Sequence, residues 1–184
     1  MFLVVGLGNY EQQYLNTYHN LGFMVADLLA ENLGASFSKT KCKAQIAETM
    51  FNGEKVIIAK PLTFMNLSGQ SVSEFIRMFK LPLENIIIVF DDIDTDKGCM
   101  RFKKEGSAGT HNGMKSVIEH IGSEKIARVR VGAGKPEFKH MLADYVLSKI
   151  DNNSKQEIQP ALERAVELIK SYIKNNGNIQ NVNK

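Results

Sequence analysis

The chain opens on an unbroken apolar run, Phe2-Leu3-Val4-Val5, that stops at Gly6. Such a run reads as a strand covered on both faces. A polar loop over Gly8–Asn16 follows. Leu21, Val25, Leu28, Leu29 and Leu33 then recur on one helical face and close at Gly34. Ala44–Met50 alternates and Val56–Ala59 is solidly apolar up to Pro61, with Asn52-Gly53 between them as a hairpin signal. Ser71–Phe79 reads as a short helix, and Ile86–Phe90 is the strongest strand, running directly into Asp91. In the second half, Met100–Lys103 and Ala127–Val131 read as strands around a helix over Met114–Ile121. The clearest helix is the last. Ile158, Leu162, Ala165, Val166, Ile169, Tyr172 and Ile173 keep a 3.6-residue period, with Glu157, Arg164, Lys170 and Lys174 off that stripe. From Asn175 onward the Asn-rich end is expected to fray. Strands alternating with helices predict an α/β fold, with a mixed, largely parallel central sheet flanked by helices and a C-terminal amphipathic helix. With 184 residues and no linker-like stretch, one domain over 1–184 is expected.

Composition adds exclusions. No apolar run approaches the roughly 18 residues of a membrane span. The N-terminus lacks a basic segment before a long apolar one, so no signal peptide is expected. Two cysteines, Cys42 and Cys99, fit a reducing cytoplasm rather than a disulfide framework. The net charge of +3 is unevenly spread. Residues 97–139 hold ten basic and four acidic side chains, a local +6, so the remainder is net negative. That asymmetry points to an anionic partner such as nucleic acid, although a solvated basic face would look the same.

Several familiar chemistries fail on spacing. Gly6-Leu7-Gly8 follows a strand, but Glu11 occupies the third glycine position of a dinucleotide loop. Asp92-Ile93-Asp94-Thr95-Asp96 starts like a calcium loop, yet Lys97 replaces its glycine and Lys103 its bidentate glutamate. His19, His111, His120 and His140 with two cysteines show no zinc spacing. Neither G-x-S-x-G nor a P-loop occurs. What remains is Asn9, Asn66 and Asp91, which follow strands, and the pairs His19-Asn20 and His111-Asn112, which lie near element starts. Ligands of open α/β sheets collect at the carboxyl ends of strands. There an imidazole, an orienting carboxylate and carboxamides could activate water and hold an oxyanion. Each taken singly also fits a turn or a cap.

The same residues carry a family resemblance. Val5-Gly6-Leu7-Gly8-Asn9, Tyr14, His19-Asn20-Leu21-Gly22, the block Pro61 to Gly69 (Pro-Leu-Thr-Phe-Met-Asn-Leu-Ser-Gly), Asp91-Asp92-Ile93-Asp94, His111-Asn112-Gly113-Met114-Lys115, Arg128 to Pro136 and Asp144-Tyr145-Val146-Leu147 follow one another in that order. This series resembles bacterial-type peptidyl-tRNA hydrolase over most of residues 1–150. The resemblance implies an esterase that frees tRNA from peptide in the cytoplasm, as a monomer, without cofactor, metal or membrane. By position, His19 would be the general base, Asp91 its orienting carboxylate and Asn9 the reader of the peptide. Asn66 and Asn112 would bind near the ester, while Phe64 and Met65 shape the cleft, Tyr14 meets the tRNA end and His111 lines the crevice. Lys103, Arg130 and Lys139 would grip phosphates. The chain departs from the family where Tyr10-Glu11 stand in place of Pro and Gly, where Asp96-Lys97-Gly98 replaces Pro-x-Gly, and in Gly106-Ser107-Ala108-Gly109-Thr110 before the second histidine. A non-catalytic tRNA- or ribosome-binding module is the alternative from another class.

Overall fold

Eight strands form one sheet in the order β2-β3-β4-β1-β5-β7-β6-β8 in the computed structural model, which describes residues 1–136 and 138–183. In chain order they are β1 (Phe2–Gly6), β2 (Lys39–Lys41), β3 (Ala44–Phe51), β4 (Glu54–Pro61), β5 (Ile86–Asp92), β6 (Met100–Lys103), β7 (Ala127–Gly132) and β8 (Val182–Asn183). The centre β4-β1-β5-β7 is parallel and both flanks are antiparallel, so the sheet is mixed as the pattern predicts. Helices α1 (Leu21–Asn32) and α5 (Asn152–Lys174) cover one face; α2 (Ser68–Phe79) and α3 (Asn112–Ile121) cover the other. A six-residue helix, α4 (Leu142–Leu147), lies between β7 and α5 in the chain.

The strands alternate as two-sided burial demands. Phe2, Val4, Ile87, Val89, Val129 and Val131 join the α1/α5 core, while Leu3, Val5, Ile86, Ile88 and Phe90 join the α2/α3 core. Burying a Val, Leu or Ile side chain is worth about 1.5–3 kcal/mol. A one-residue slip would exchange the two cores, so the register is firmly set. No helix among the described residues is long and apolar enough to cross a membrane.

Three expectations need correction. β5 does not end at Phe90. Asp91 and Asp92 pair with Val131 and Gly132, so both carboxylates belong to a buried strand. The pattern gave no sign of α4, which has only one fully buried residue, Val146, and hence no apolar period to read. The chain end does not fray from Asn175. It turns at Gly177 (φ 79°), Asn181 accepts from the Lys104 N–H, and Val182 pairs with Phe102. β6 would otherwise be an open edge, and Ile179 and Val182 pack on the α1/α5 core.

The crossing of α2 over α3 is built on absent side chains. A Cβ on Gly69 would stand 2.1 Å from the Ser116 carbonyl oxygen, and the Gly69 N–H donates to Ser116 Oγ at 3.1 Å. A Cβ on Gly113 would stand 2.4 Å from Met65 Sδ. We predict that Gly69→Ala destabilises the fold by about 1–3 kcal/mol through forced separation of the helices, outweighing a helix-propensity gain of about 0.5–1 kcal/mol. Urea unfolding checks this, and equal or greater stability in the variant would refute the steric account.

Candidate active site

At the carboxyl edge of the parallel strands, alternation sends Asp91 and Asp92 to opposite faces of β5. Asp91 is 3% exposed. His19 comes from a 3-10 turn over Tyr18–Asn20 that feeds α1, and its Nδ1 lies 2.9 and 3.0 Å from the two Asp91 oxygens. His111 caps α3 from the other side, with its Nε2 2.9 Å from Asp91 Oδ1. Burial alone would push the Asp91 carboxyl up. The two imidazoles, by their charge when protonated and by their hydrogen bonds, outweigh it and hold that carboxyl well below the usual carboxylate range.

The hydrogen bonds assign the tautomers. His111 Nδ1 accepts the Met114 N–H at 3.1 Å, so the ring's hydrogen is on Nε2 and donates to Asp91. His19 donates from Nδ1, which leaves its Nε2 lone pair free, on a side chain 13% exposed. Donor atoms of His19, Asp91 and His111 lie within 4.8 Å of one another, a set that could hold a divalent ion by composition. Ligation through His111 Nε2 would move its hydrogen to Nδ1, against the Met114 N–H. Ion binding there would therefore cost α3 its cap, and the set fits a hydrogen-bonded relay better than a metal centre.

A cleft of about 330 Å³ brings together His19, Asp91, Asp92, His111, Asn112 and Arg130, with Leu142 and Val146 of α4 among its walls. A second group lies beside it. Asn9 is buried, and its Oδ1 accepts the Met65 N–H at 2.9 Å. Phe64 and Asn66 flank Met65 at the surface, and the Phe64 ring meets Tyr10 at 5.6 Å. Asn20 holds the Asn9 backbone at two points, accepting its N–H at 2.8 Å and donating to its carbonyl at 2.9 Å. Tyr14 is half-buried in a separate turn, Gln12–Tyr14, outside the cleft wall.

The basic residues divide. Arg101 faces Arg130 and Lys103 faces Arg128 across β6 and β7, which places all four on one side of that ribbon. Arg130 is in an ion pair with buried Asp92 at 2.9 Å, so its charge is already partly neutralised. Lys103 is exposed. The side chain of Lys139 lies outside the described residues. Sequence reasoning missed Asn20 and Asp92 as site residues. Asn20 was visible as half of a His-Asn pair, but its partner is the Asn9 main chain, which no side-chain pattern announces.

A relay of carboxylate and imidazole opening on a cleft at the carboxyl edge of an α/β sheet is the equipment of a hydrolase. Residues 3–184 match the family model described as Peptidyl-tRNA hydrolase. The chain is 46% identical over 173 residues to the "Peptidyl-tRNA hydrolase" of Alkaliphilus metalliredigens, covering 94% of this chain and 93% of that one. It is 42% identical over 184 residues to that of Ligilactobacillus salivarius, covering 100% and 99%. The crystal structure of peptidyl-tRNA hydrolase from Acinetobacter baumannii superposes with a TM-score of 0.88 at 31% identity, covering 97% of this chain and 93% of that one. This chain belongs to the peptidyl-tRNA hydrolase family and is an enzyme of the hydrolase class.

The tautomer assignment is directly measurable. Nitrogen-detected imidazole spectra are expected to show His111 with hydrogen on Nε2 and an unprotonated Nδ1. A hydrogen on Nδ1 would contradict the cap and reopen the cluster to metal ligation.

Proposed function

We propose that this chain hydrolyses the ester between the peptide and the 3′-terminal ribose of peptidyl-tRNA, in the cytoplasm and as a monomer, by water activated at His19 without a metal. The observation that carries the mechanism is Asp91 held between His19 Nδ1 and His111 Nε2, which leaves Nε2 of His19, a residue of the cleft wall, as the nitrogen to take a proton. Water gives its proton to that nitrogen while its oxygen attacks the ester carbonyl carbon. The carbonyl oxygen becomes an oxyanion, and the Asn66 and Asn112 carboxamides donate to it. Collapse breaks the carbon–oxygen bond to the ribose, and the departing oxygen takes the proton back from His19. Asp91 stabilises the transient imidazolium and His111 keeps Asp91 in place.

Asn9 spends its Oδ1 on Met65, so its Nδ2 amide is the group that reads the peptide. Phe64 and Met65 shape that side of the cleft. Tyr14 meets the tRNA end, and Lys103, Arg130 and Lys139 hold phosphates of the acceptor stem. Discrimination of N-blocked from free aminoacyl-tRNA tests the reading as a whole. Release of amino acid at equal rates from both, or from neither, would refute it, and the second outcome would favour the non-catalytic binding module.

The base and its partner are separable. His19→Ala is expected to lower kcat by roughly 10²–10⁴-fold. Asp91→Asn keeps one oxygen that both imidazoles can share but loses the charge and the second acceptor, so its loss should be smaller than that of His19→Ala. Single-turnover rates check both, and an Ala variant with more than about a third of parent activity would remove His19 from the role. For the phosphate grip, Lys103→Ala should flatten the slope of log K against log salt by about 0.7–0.9, the contribution of one phosphate contact. Titrations at several salt concentrations that return the parent slope would place the grip elsewhere.

A further inference from the structure

Arg128 is 1% exposed and is the bulkiest fully buried side chain among the described residues, yet the chemistry above does not use it. It donates from Nε to the Ile126 carbonyl at 3.2 Å, from Nη1 to Ser107 at 3.0 Å and from Nη2 to Glu124 at 2.8 Å. Glu124 and Glu105 act on it through charge, but every hydrogen bond goes to a main-chain carbonyl. Burial is the largest influence on the guanidinium and pushes its pKa down to about 10, so it stays a cation at neutral pH. A buried cation without a bound carboxylate is costly, and an apolar side chain would fill the same space without that cost. What only a planar fork supplies is the simultaneous capture of two loops.

One of those loops is the Gly-rich segment that delivers His111. Gly106 (φ 146°) and Gly109 (φ 58°) sit where other residues are strained, so the segment has much conformational freedom to lose. Ala108 packs on the α2/α3 core and the His111 N–H closes a local turn on the Ala108 carbonyl, while the hydrogen bonds that tie the segment to the loop before β7 are the Gly106 N–H to the Glu124 carbonyl and the Arg128 fork. Ala108 and Thr110 line the same cleft as His111 and Asn112. We propose that Arg128 is a positioning residue that clamps residues 106–110 to the loop before β7 and so fixes the cleft wall carrying His111 and Asn112. The effect on turnover rests on the hydrolase reading above, whereas the clamp itself does not.

Arg128→Met removes the fork at similar volume. If it lets the competent loop conformation fall to about a tenth of the population, kcat falls about tenfold while KM stays within about twofold. Hydrogen exchange at the Gly106 and His111 amides should accelerate, with β1 and β5 amides unchanged. Gly109→Asn, which tolerates a left-handed conformation, should recover part of kcat in the Arg128→Met background by stiffening the loop. Parent kcat and parent loop exchange in folded Arg128→Met would overturn the proposal, as would exchange that rises uniformly across the sheet. Arg128→Lys keeps the cation but cannot span three carbonyls. If it matches the parent in kcat and loop exchange, the proposal fails whether or not the Met variant folds. Failure of the hydrolase reading shows differently, as no turnover by the parent itself, and leaves the exchange result to judge the clamp.

Discussion

A carboxylate with 3% exposure must find partners or protonate, and Asp91 finds two imidazoles from opposite sides of the sheet. That requirement organises the surrounding structure. It fixes the turn that starts α1, because His19 has to reach the end of β5. It also fixes the start of α3, because His111 has to cap that helix with one nitrogen and meet Asp91 with the other. The carboxyl's pKa is below its unfolded value, so Asp91 stabilises the fold fully above about pH 4 and loses that contribution only in stronger acid, as the folded carboxyl protonates. Fold stability and the geometry of the cleft therefore depend on the same bonds.

The sequence pattern made the strands legible where burial is two-sided. Phe2–Gly6 and the core of β5 need no partner information, because β-branched and apolar runs of that length admit little else. It was least informative where structure depends on main-chain partners. α4 has one fully buried side chain, and β8 exists because β6 offers unpaired backbone, a property of the assembled sheet. The site divides in the same way. His19, Asp91, His111 and Asn112 could be picked out because chemically loaded residues stand at strand ends and helix starts. Asn20 and Arg128 act on carbonyls and N–H groups, so their identity alone said little about their place.

Charge overstated the basic surface that is free to meet a ligand. The basic window of residues 97–139 begins just after Asp91, Asp92, Asp94 and Asp96, and two of those acids pair with its basic side chains. Arg130 pairs with Asp92 and Lys135 with Asp94, while the Arg101 guanidinium reaches the Asp94 carbonyl. Lys97 donates to Ser154 and sits over the Tyr18 ring, and Arg128 is buried. Much of the local +6 is thus structural. Ion pairs with a buried carboxylate also hold a guanidinium in one geometry, which a solvent-exposed lysine cannot match. The ribbon of β6 and β7 therefore offers a ligand a few oriented charges rather than a diffuse basic surface.

Side-chain-to-main-chain bonding also explains how the site accommodates an altered loop. Tyr10-Glu11 follow Asn9 where the family resemblance would put a rigid Pro and Gly, and a freer loop there would be expected to blur the position of Asn9. Yet Asn9 is not held by its C-terminal neighbours. Asn20 grips its N–H and its carbonyl, and the Met65 N–H grips its side chain, so the residue is fixed from α1 and from the turn before α2. Gly8 makes the grip possible, since a Cβ there would stand 2.9 Å from Asn20 Oδ1 and 2.7 Å from the Phe23 ring. Because the clamp reads backbone, the next two side chains are free to vary. Here they place an exposed tyrosine against Phe64 at the rim without moving Asn9.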